Sequence, residues 1–286
     1  MSYYKKSQIL SSIAKYNLDS RIGKFLLPLK GSLNYPGERV SNKAGHSSVT
    51  IDFREYHYGD NIKDIDWKLS AKTDKTFIKI REGYRKTDFV LYLDDSNSMR
   101  AEYNGLFSKF IYSLTITYIL ATIALKSRDK FYLVWDNKKI IIKTENELID
   151  TLVNIENSKS STNFLHKNID TGSNFFLITD GMFEEEKYKK FIKNHNSKNP
   201  FTFFIQDQKE LTFDFNGRSK FLNTEGDDFI LLESQSVKKD YIVCYQNHFL
   251  QLTKISKSFG FKVGLFNNSL DPLEQFIKAV VWLYYQ

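Results

Sequence analysis

The segment FVLYLDDSNS, residues 89–98, decides the fold, because five apolar residues run directly into a cluster of acids and hydroxyls. A near-continuous apolar run of this length is typical of a strand that is covered on both faces of a parallel sheet. A helical pattern follows over about residues 103–127. The segment therefore predicts a strand, a turn and a helix, which is the repeating unit of an α/β fold.

The rest of the chain continues this alternation. Further strand patterns occupy residues 131–135, 140–142, 175–178, 201–205 and 261–266, and helical patterns occupy residues 145–155, 240–258 and 271–284, with another opening at Glu184. The turn residues 136–138 lie between the first two of these strands, which predicts a hairpin and an antiparallel edge strand. A second, inserted β-hairpin is expected within residues 219–233. We predict a Rossmann-like, mostly parallel sheet flanked by helices.

Residues 1–87 lack this alternation. They begin with a short helical pattern and continue with turn residues, a charged run and isolated β-type pieces. We interpret residues 1–87 as an N-terminal extension packed on the α/β domain of residues 88–286.

Composition excludes several classes of protein. Aromatic and aliphatic residues make up 41% of the 286 residues, which is enough to form a core and excludes global disorder. A single cysteine excludes an internal disulfide. The net charge is +7, but the lysines are scattered and no clustered basic helix is present, so we expect no nucleic-acid partner.

The longest uncharged run, residues 110–125, is shorter than the roughly 20 residues that a membrane span needs, and it predicts a buried helix. No signal-peptide pattern begins the chain, so we expect a cytoplasmic location and no transmembrane segment. An amphipathic stretch over residues 7–30 leaves open a peripheral membrane contact, the alternative being packing on the body of the protein.

Oxygen-bearing side chains follow two of the predicted central strands. Asp94, Ser96 and Ser98 follow the first, Asp180 follows the strand at 175–178, and Thr162 lies in the loop between them. Ligands bind at the carboxyl ends of strands in open α/β sheets, and such donors suit Mg²⁺ or Mn²⁺. The alternative is that these side chains only cap turns and helices.

This set, Asp-x-Ser-x-Ser followed by a distant Thr and an Asp after a strand, resembles the metal-ion-dependent adhesion site (MIDAS) of von Willebrand factor A domains. The resemblance covers about residues 88–286 and implies that they form a von Willebrand factor A-like domain. The resemblance implies that Ser96, Ser98 and Thr162 bind a divalent ion directly and that Asp94 and Asp180 bind it directly or through water. A carboxylate of a protein partner would then fill the open coordination position.

The segment of residues 45–72 resembles the defining segment of the bacterial domain-of-unknown-function 58 family. Here it reads Arg-Glu-Tyr at 54–56, Gly-Asp at 59–60, Ile-Asp-Trp at 65–67 and Ser-Ala-Lys at 70–72. The chain departs from the family pattern with Asp52 for Glu, Asn61 for Asp and Lys72 for Arg.

The same segment has a structural and a functional interpretation. Structurally, residues 59–60 form a turn, Asp66 caps a short helix from Trp67, and Arg54 pairs with Asp60 or Asp66. Alternatively the segment is part of a docking face. The candidate partner-binding residues are Arg54, Tyr56, Asp60, Asp66 and Trp67.

The family resemblance implies a protein-interaction module that acts with a MoxR-type AAA+ ATPase and is not an enzyme. The alternative function is a magnesium-dependent, phosphatase-like hydrolase that uses Asp94 as its nucleophile. The sequence lacks the Asp-x-Asp spacing expected of such an enzyme, since Ser96 stands two residues after Asp94. It also lacks a Gly-x-Ser-x-Gly elbow and a phosphate-binding Gly-rich loop.

Overall fold

The computed structural model describes residues 8–14, 50–81, 88–101, 108–136, 138–159, 174–195, 197, 199–222 and 228–284. The chain divides into two compact units, of which the smaller is Asn34–Lys86 and the larger comprises Met1–Leu33 with Thr87–Gln286.

The described helices and strands follow one another along the chain. In order they are α1 (Gln8–Ile13), β1 (Thr50–Glu55), a 3₁₀ turn (Ile62–Asp64), α2 (Trp67–Thr73), β2 (Phe77–Arg81), β3 (Asp88–Leu93), α3 (Asn97–Arg100), α4 (Lys109–Lys126), β4 (Lys130–Trp135), β5 (Lys138–Ile142), α5 (Glu145–Glu156), β6 (Asn174–Thr179), α6 (Glu185–Lys193), β7 (Asn199–Gln206), α7 (Gln208–Thr212), β8 (Arg218–Leu222), β9 (Phe229–Glu233), α8 (Ser234–Ser258), β10 (Lys262–Asn267) and α9 (Pro272–Tyr284).

A six-stranded sheet forms the centre of the larger unit, in the order β10-β7-β6-β3-β4-β5. Neighbouring strands are parallel except β5, which pairs antiparallel with β4 as the hairpin prediction requires. Counted along the chain, the strands of this sheet lie in the order 3-2-1-4-5-6, the doubly wound arrangement. The predicted Rossmann-like, mostly parallel α/β fold is confirmed.

Two hydrophobic clusters cover the two faces of the sheet, which explains the continuous apolar run of β3. Phe89 and Leu91 belong to the cluster that includes α4, α5 and α9, whereas Val90 and Tyr92 belong to the cluster that includes α6 and α8. Successive side chains of a strand point to opposite faces, so a strand buried on both sides needs apolar residues at every position.

The long apolar helix α4 is part of this core. It is long and apolar enough to cross a membrane by length and composition, but 89% of it is buried inside the protein, as expected of the predicted core helix. The prediction that it begins near residue 103 is wrong. Ser108 is the N-cap and accepts a hydrogen bond from the Ile111 amide at 3.3 Å, so the helix begins at Lys109.

Other boundaries also differ from the predictions. The helix α8 begins at Ser234, directly after β9, and not near residue 240. The short helix α7 was not predicted, and Asp207 caps it by accepting a hydrogen bond from the Lys209 amide. The inserted hairpin formed by β8 and β9 is present as predicted.

The first helix, α1, packs on α4 and α5. Ile9 and Ile13 are buried, and the Ser12 hydroxyl is 2.9 Å from that of Thr115. The basic and apolar residues on which the predicted membrane contact depends, between Arg21 and Lys30, lie outside the described residues.

The smaller unit contains an antiparallel pair of strands, β1 and β2, with α2 between them in sequence. Asp66 stands at the N-cap of α2 and accepts hydrogen bonds from the amides of Lys68 and Leu69, both at 3.0 Å. The cap predicted from the sequence is therefore present.

Replacing Phe176 by alanine tests the packing of the central sheet. The ring is 1% exposed and stacks against Phe89 and Phe201, with ring centroids 5.9 and 5.0 Å away. We expect Phe176→Ala to lower the free energy of unfolding by about 3–5 kcal/mol, measured by denaturant titration. Phe229→Ala, at a ring that is 53% exposed, should change it by less than about 0.5 kcal/mol. Equal losses in both variants would contradict the assignment of β6 to the core.

Candidate functional site

The site lies at the carboxyl ends of β3 and β6, the neighbouring strands where the order of the sheet reverses. The pairing continues one residue beyond β3, since the Asp94 amide donates to the carbonyl of Ile178 at 3.0 Å. Asp94 and Asp180 are each 1% exposed. The two buried carboxyl groups therefore lie at the edge where doubly wound sheets bind ligands.

Thr179 connects the two strand ends. Its hydroxyl donates to Oδ2 of Asp94 at 2.6 Å and accepts a hydrogen bond from the Gly181 amide at 3.1 Å. Thr179 is not among the site residues predicted from sequence, although it stands next to Asp180. It fixes the orientation of the Asp94 carboxyl group relative to β6.

The turn after β3 carries the two predicted serines. The Ser96 amide donates to Oδ1 of Asp94 at 2.9 Å, and the hydroxyl oxygens of Ser96 and Ser98 are 3.0 Å apart. Both serines are half-buried. Ser96 occupies the N-cap position of α3, yet its side chain makes no capping hydrogen bond. Capping of α3 therefore does not explain the serine at this position.

A buried lysine joins the site from α4. The ammonium group of Lys109 is 3.0 Å from Oδ2 of Asp180 and 2.7 Å from Oε1 of Glu210, which lies on α7. The other oxygen of Asp180, Oδ1, accepts the Met182 amide at 3.0 Å. Sequence reasoning missed Lys109 and Glu210, because neither belongs to a motif and their contacts are distant along the chain.

Burial and like charge control the ionisation of these groups. Burial, followed by the charge of Asp180, raises the pKa of Asp94 from its ordinary value of 3.8 to about 7, although the hydrogen bonds from Thr179 and Ser96 oppose the shift. Burial alone lowers the pKa of Lys109, but Asp180 and Glu210 together raise it above its ordinary value. The lysine therefore remains charged.

The backbone after Asp180 is held in a conformation that favours glycine. Gly181 has φ of +75°, and a Cβ there would lie 3.0 Å from Cδ1 of Leu252 and 3.1 Å from Cδ1 of Phe204. The carbonyl of Gly181 is 2.8 Å from Nε2 of His248 on α8. These contacts fix the turn that carries Asp180.

Asp95, the neighbour of Asp94, supports the turn from the other side. Its Oδ1 accepts Nε of Arg100 at 2.6 Å and its Oδ2 accepts Nε1 of Trp135 at 2.7 Å. Arg100 also donates to the carbonyls of Ile155 and Glu156 at the end of α5. These contacts give Asp95 a structural role in tying the turn to β4 and α5.

The structure brings four of the five predicted metal ligands to one edge of the sheet: Asp94, Ser96, Ser98 and Asp180. Thr162 lies outside the described residues. In the part of the chain that the structure describes, no group of three or more His, Cys, Asp or Glu side chains has the geometry to hold a metal. An ion bound here would therefore depend on hydroxyl ligands as well as on carboxylates.

The predicted partner-binding residues belong to the smaller unit. Arg54 and Asp60 form a two-pronged pair, with NH1 to Oδ2 at 2.8 Å and NH2 to Oδ1 at 2.6 Å. Asp66 caps α2, and Tyr56 is half-buried. Trp67 is 67% exposed. The two aspartates and the arginine thus have structural roles, whereas Trp67 presents most of its surface to solvent.

The fold and the site define a doubly wound α/β protein with a buried polar centre at its switch point. The chain matches the family described as "Protein of unknown function DUF58" over residues 52–248, and it belongs to that family. No curated protein matches the chain.

One solved structure that matches this chain is the "conserved hypothetical protein BatB from Bacteroides thetaiotaomicron". It is 14% identical in sequence, and the match covers 70% of this chain and 100% of that chain, with a TM-score of 0.36.

The raised pKa of Asp94 predicts how stability depends on pH. In metal-free protein the folded state holds this proton more tightly than the unfolded state, so the free energy of unfolding should fall as the pH rises from about 4 to about 7. Asp94→Asn should flatten that part of the profile, measured by denaturant titration in chelator. An unchanged slope in the variant would contradict the assignment.

The Arg54–Asp60 pair predicts an acid-sensitive smaller unit. The hydrogen bonds from Arg54 lower the pKa of Asp60 from 3.8 to about 2, so the pair stabilises the unit above pH 4 and is lost as the pH falls toward 2. The protection factors of the β1 and β2 amides, measured by hydrogen exchange, should therefore fall over that range. Arg54→Lys should accelerate exchange at neutral pH, because lysine cannot form the two-pronged contact. Unchanged exchange in Arg54→Lys would show that the two-pronged pair does not stabilise the smaller unit.

Proposed function

We propose that this chain is a non-enzymatic, divalent-metal-dependent protein-interaction module that acts as an adaptor or partner of a MoxR-type AAA+ ATPase. The observation that carries the proposal is the gathering of Asp94, Ser96, Ser98 and Asp180 at the switch point of the sheet. A cytoplasmic location remains a prediction.

The two serine hydroxyls fit neighbouring positions around a magnesium ion. Octahedral Mg²⁺ holds its oxygen ligands at about 2.0–2.1 Å, so adjacent ligands lie about 2.9 Å apart. The hydroxyl oxygens of Ser96 and Ser98 are 3.0 Å apart. Two small side chains thus have the spacing that the ion requires.

The charge of the site also favours a divalent cation. Asp94, Asp180 and Glu210 supply three carboxylates, whereas Lys109 supplies one ammonium group. When all of them are ionised, these four groups carry two excess negative charges in a buried position. Burial is the main cause of the raised pKa of Asp94, and repulsion by Asp180 adds to it; a divalent ion would neutralise the excess charge and relieve that repulsion.

The residues that would hold the ion are Ser96 and Ser98 through their hydroxyls and Asp94 and Asp180 directly or through water, with Thr162 as the further predicted ligand. A bound Mg²⁺ or Mn²⁺ would supply an electrophilic position for an acidic side chain of a protein partner. Without an ion, the two aspartates would repel such a partner.

The ATPase part of the proposal rests on what the family resemblance implies, and the chain belongs to that family, DUF58. A contact on the smaller unit is supported by its exposed apolar side chains. Tyr58 is fully exposed, and Ile62 and Trp67 are each more than three-fifths exposed. These side chains could contribute apolar area to a protein interface.

Absence of catalysis is part of the proposal. Asp94 is 1% exposed, and both of its carboxyl oxygens accept hydrogen bonds, from the Ser96 amide and the Thr179 hydroxyl. A nucleophilic carboxylate must reach a phosphorus atom with one of these oxygens. The contacts of Asp94 therefore favour a role in ordering the site over the alternative of a phosphatase-like hydrolase.

Manganese titration followed by electron paramagnetic resonance tests the site directly. We expect metal-free chain to bind Mn²⁺ in competition with Mg²⁺, and Asp94→Asn to weaken binding by about tenfold or more. Asp240→Asn is the matched control, because it removes an exposed carboxylate of α8 and should leave binding unchanged. Absence of Mn²⁺ binding by the wild-type chain would remove the metal from the proposal.

Capture of proteins from the native cell tests the partner. We expect the immobilised chain to retain an AAA+ ATPase, and at least one protein to be retained in Mg²⁺ but not in chelator or by Asp94→Asn. Identical recoveries under all three conditions would contradict a metal-dependent interaction. Magnesium-dependent phosphatase turnover that Asp94→Asn abolishes would instead establish the enzyme alternative.

A further inference from the structure

Lys109 occupies a position that is unfavourable for a lysine. It is the first residue of the 18-residue helix α4 and is 1% exposed. The amino end of a helix carries a partial positive charge, so a cation there is destabilising. Removing an ammonium group from water adds a larger cost. Its contacts must offset both costs.

Those contacts are two buried carboxylates of the candidate site. The ammonium group is 3.0 Å from Asp180 and 2.7 Å from Glu210. Within the described part of the chain, Oδ2 of Asp180 accepts no well-aligned hydrogen bond, so the lysine supplies its charge compensation. Asp180 therefore has a cation beside it even when no metal is present.

We propose that Lys109 is a built-in cation that keeps the metal-free site folded and, by the same charge, limits its affinity for a divalent ion. This inference rests on the proposed metal-binding function. Lys109 is a positioning residue, because it acts on the ion through Asp180 and is not itself a ligand.

Both effects follow from one Coulomb interaction. In the empty site, the ammonium group offsets the repulsion between the Asp180 and Asp94 carboxylates. If the site held an ion, the same ammonium group would share Asp180 with the ion and repel it, and burial would strengthen that repulsion. Glu210 has the opposite effect, since its carboxylate pairs with the ammonium group.

The affinity test compares Lys109→Met with Glu210→Gln in the full chain. Methionine keeps most of the lysine's apolar volume, so we expect Lys109→Met to bind Mn²⁺ more tightly by about tenfold or more. Glu210→Gln removes the neutralising carboxylate and should weaken binding by about tenfold. The readout is Mn²⁺ titration followed by electron paramagnetic resonance. If Lys109 had only a structural role, the two substitutions would not change the affinity for Mn²⁺ in opposite directions.

The stability test uses the same variants in thermal unfolding. Lys109→Met should unfold at a lower temperature than wild type in chelator, and millimolar Mg²⁺ should raise its unfolding temperature more than that of wild type. If this variant does not fold in chelator, the double variant Lys109→Met with Glu210→Gln preserves the net charge and leaves one fewer uncompensated carboxylate. It should fold and still bind Mn²⁺ more tightly than wild type.

The outcomes separate this inference from the proposed function. If wild type binds Mn²⁺ and neither lysine variant binds it more tightly, the inference is wrong and the metal site stands. If only the variants lacking Lys109 bind Mn²⁺, the inference stands and the wild-type chain is not a metal-dependent module. If no variant binds Mn²⁺, both are wrong.

Discussion

The parallel pairing of β3 with β6 is the constraint on which the candidate site depends. The two strands come from distant parts of the chain, yet they pair up to their last residues, where Ile178 accepts the Asp94 amide. This pairing forces two acids, Asp94 and Asp180, into one buried position. Like charges held there cost free energy. Thr179 and Lys109 are the groups through which the chain offsets that cost.

The sheet and its acidic edge were predictable from sequence, because both depend on local patterns. A continuous apolar run indicates a strand buried on both faces, and an acid at the end of such a strand is placed by the chain direction alone. The start of α4 was missed, although Ser108, two residues before the apolar run, is a residue type that often occupies the N-cap position. The contact between Lys109 and Glu210 was not predictable, because it joins residues 101 positions apart. The start of α8 was not predictable either, because the side chain of its N-cap residue, Glu233, makes no capping hydrogen bond.

In the smaller unit, most of the polar residues in the family motif stabilise the fold. Arg54 holds Asp60, and Asp60 accepts the His57 amide at 2.8 Å across the turn. Asp66 caps α2 and lies 3.4 Å from the ammonium group of Lys79. The motif therefore specifies a small structure that displays apolar side chains, among them Trp67, on its surface. If this unit docks on a partner, the exposed apolar residues are better candidates for the contact than the charged ones.

The charge balance of the site explains why a lysine can be retained at so costly a position. A site built only from Asp94, Asp180 and Glu210 would bind a cation tightly, but it would be unstable whenever the cation left. A site with a second lysine would carry so little net charge that it would stay folded without an ion, but it would attract an ion only weakly. The site has one ammonium group and three carboxylates, so its net charge lies between those of these two cases. Under the proposed function, this intermediate balance would let the fold survive loss of the ion when the module releases its partner.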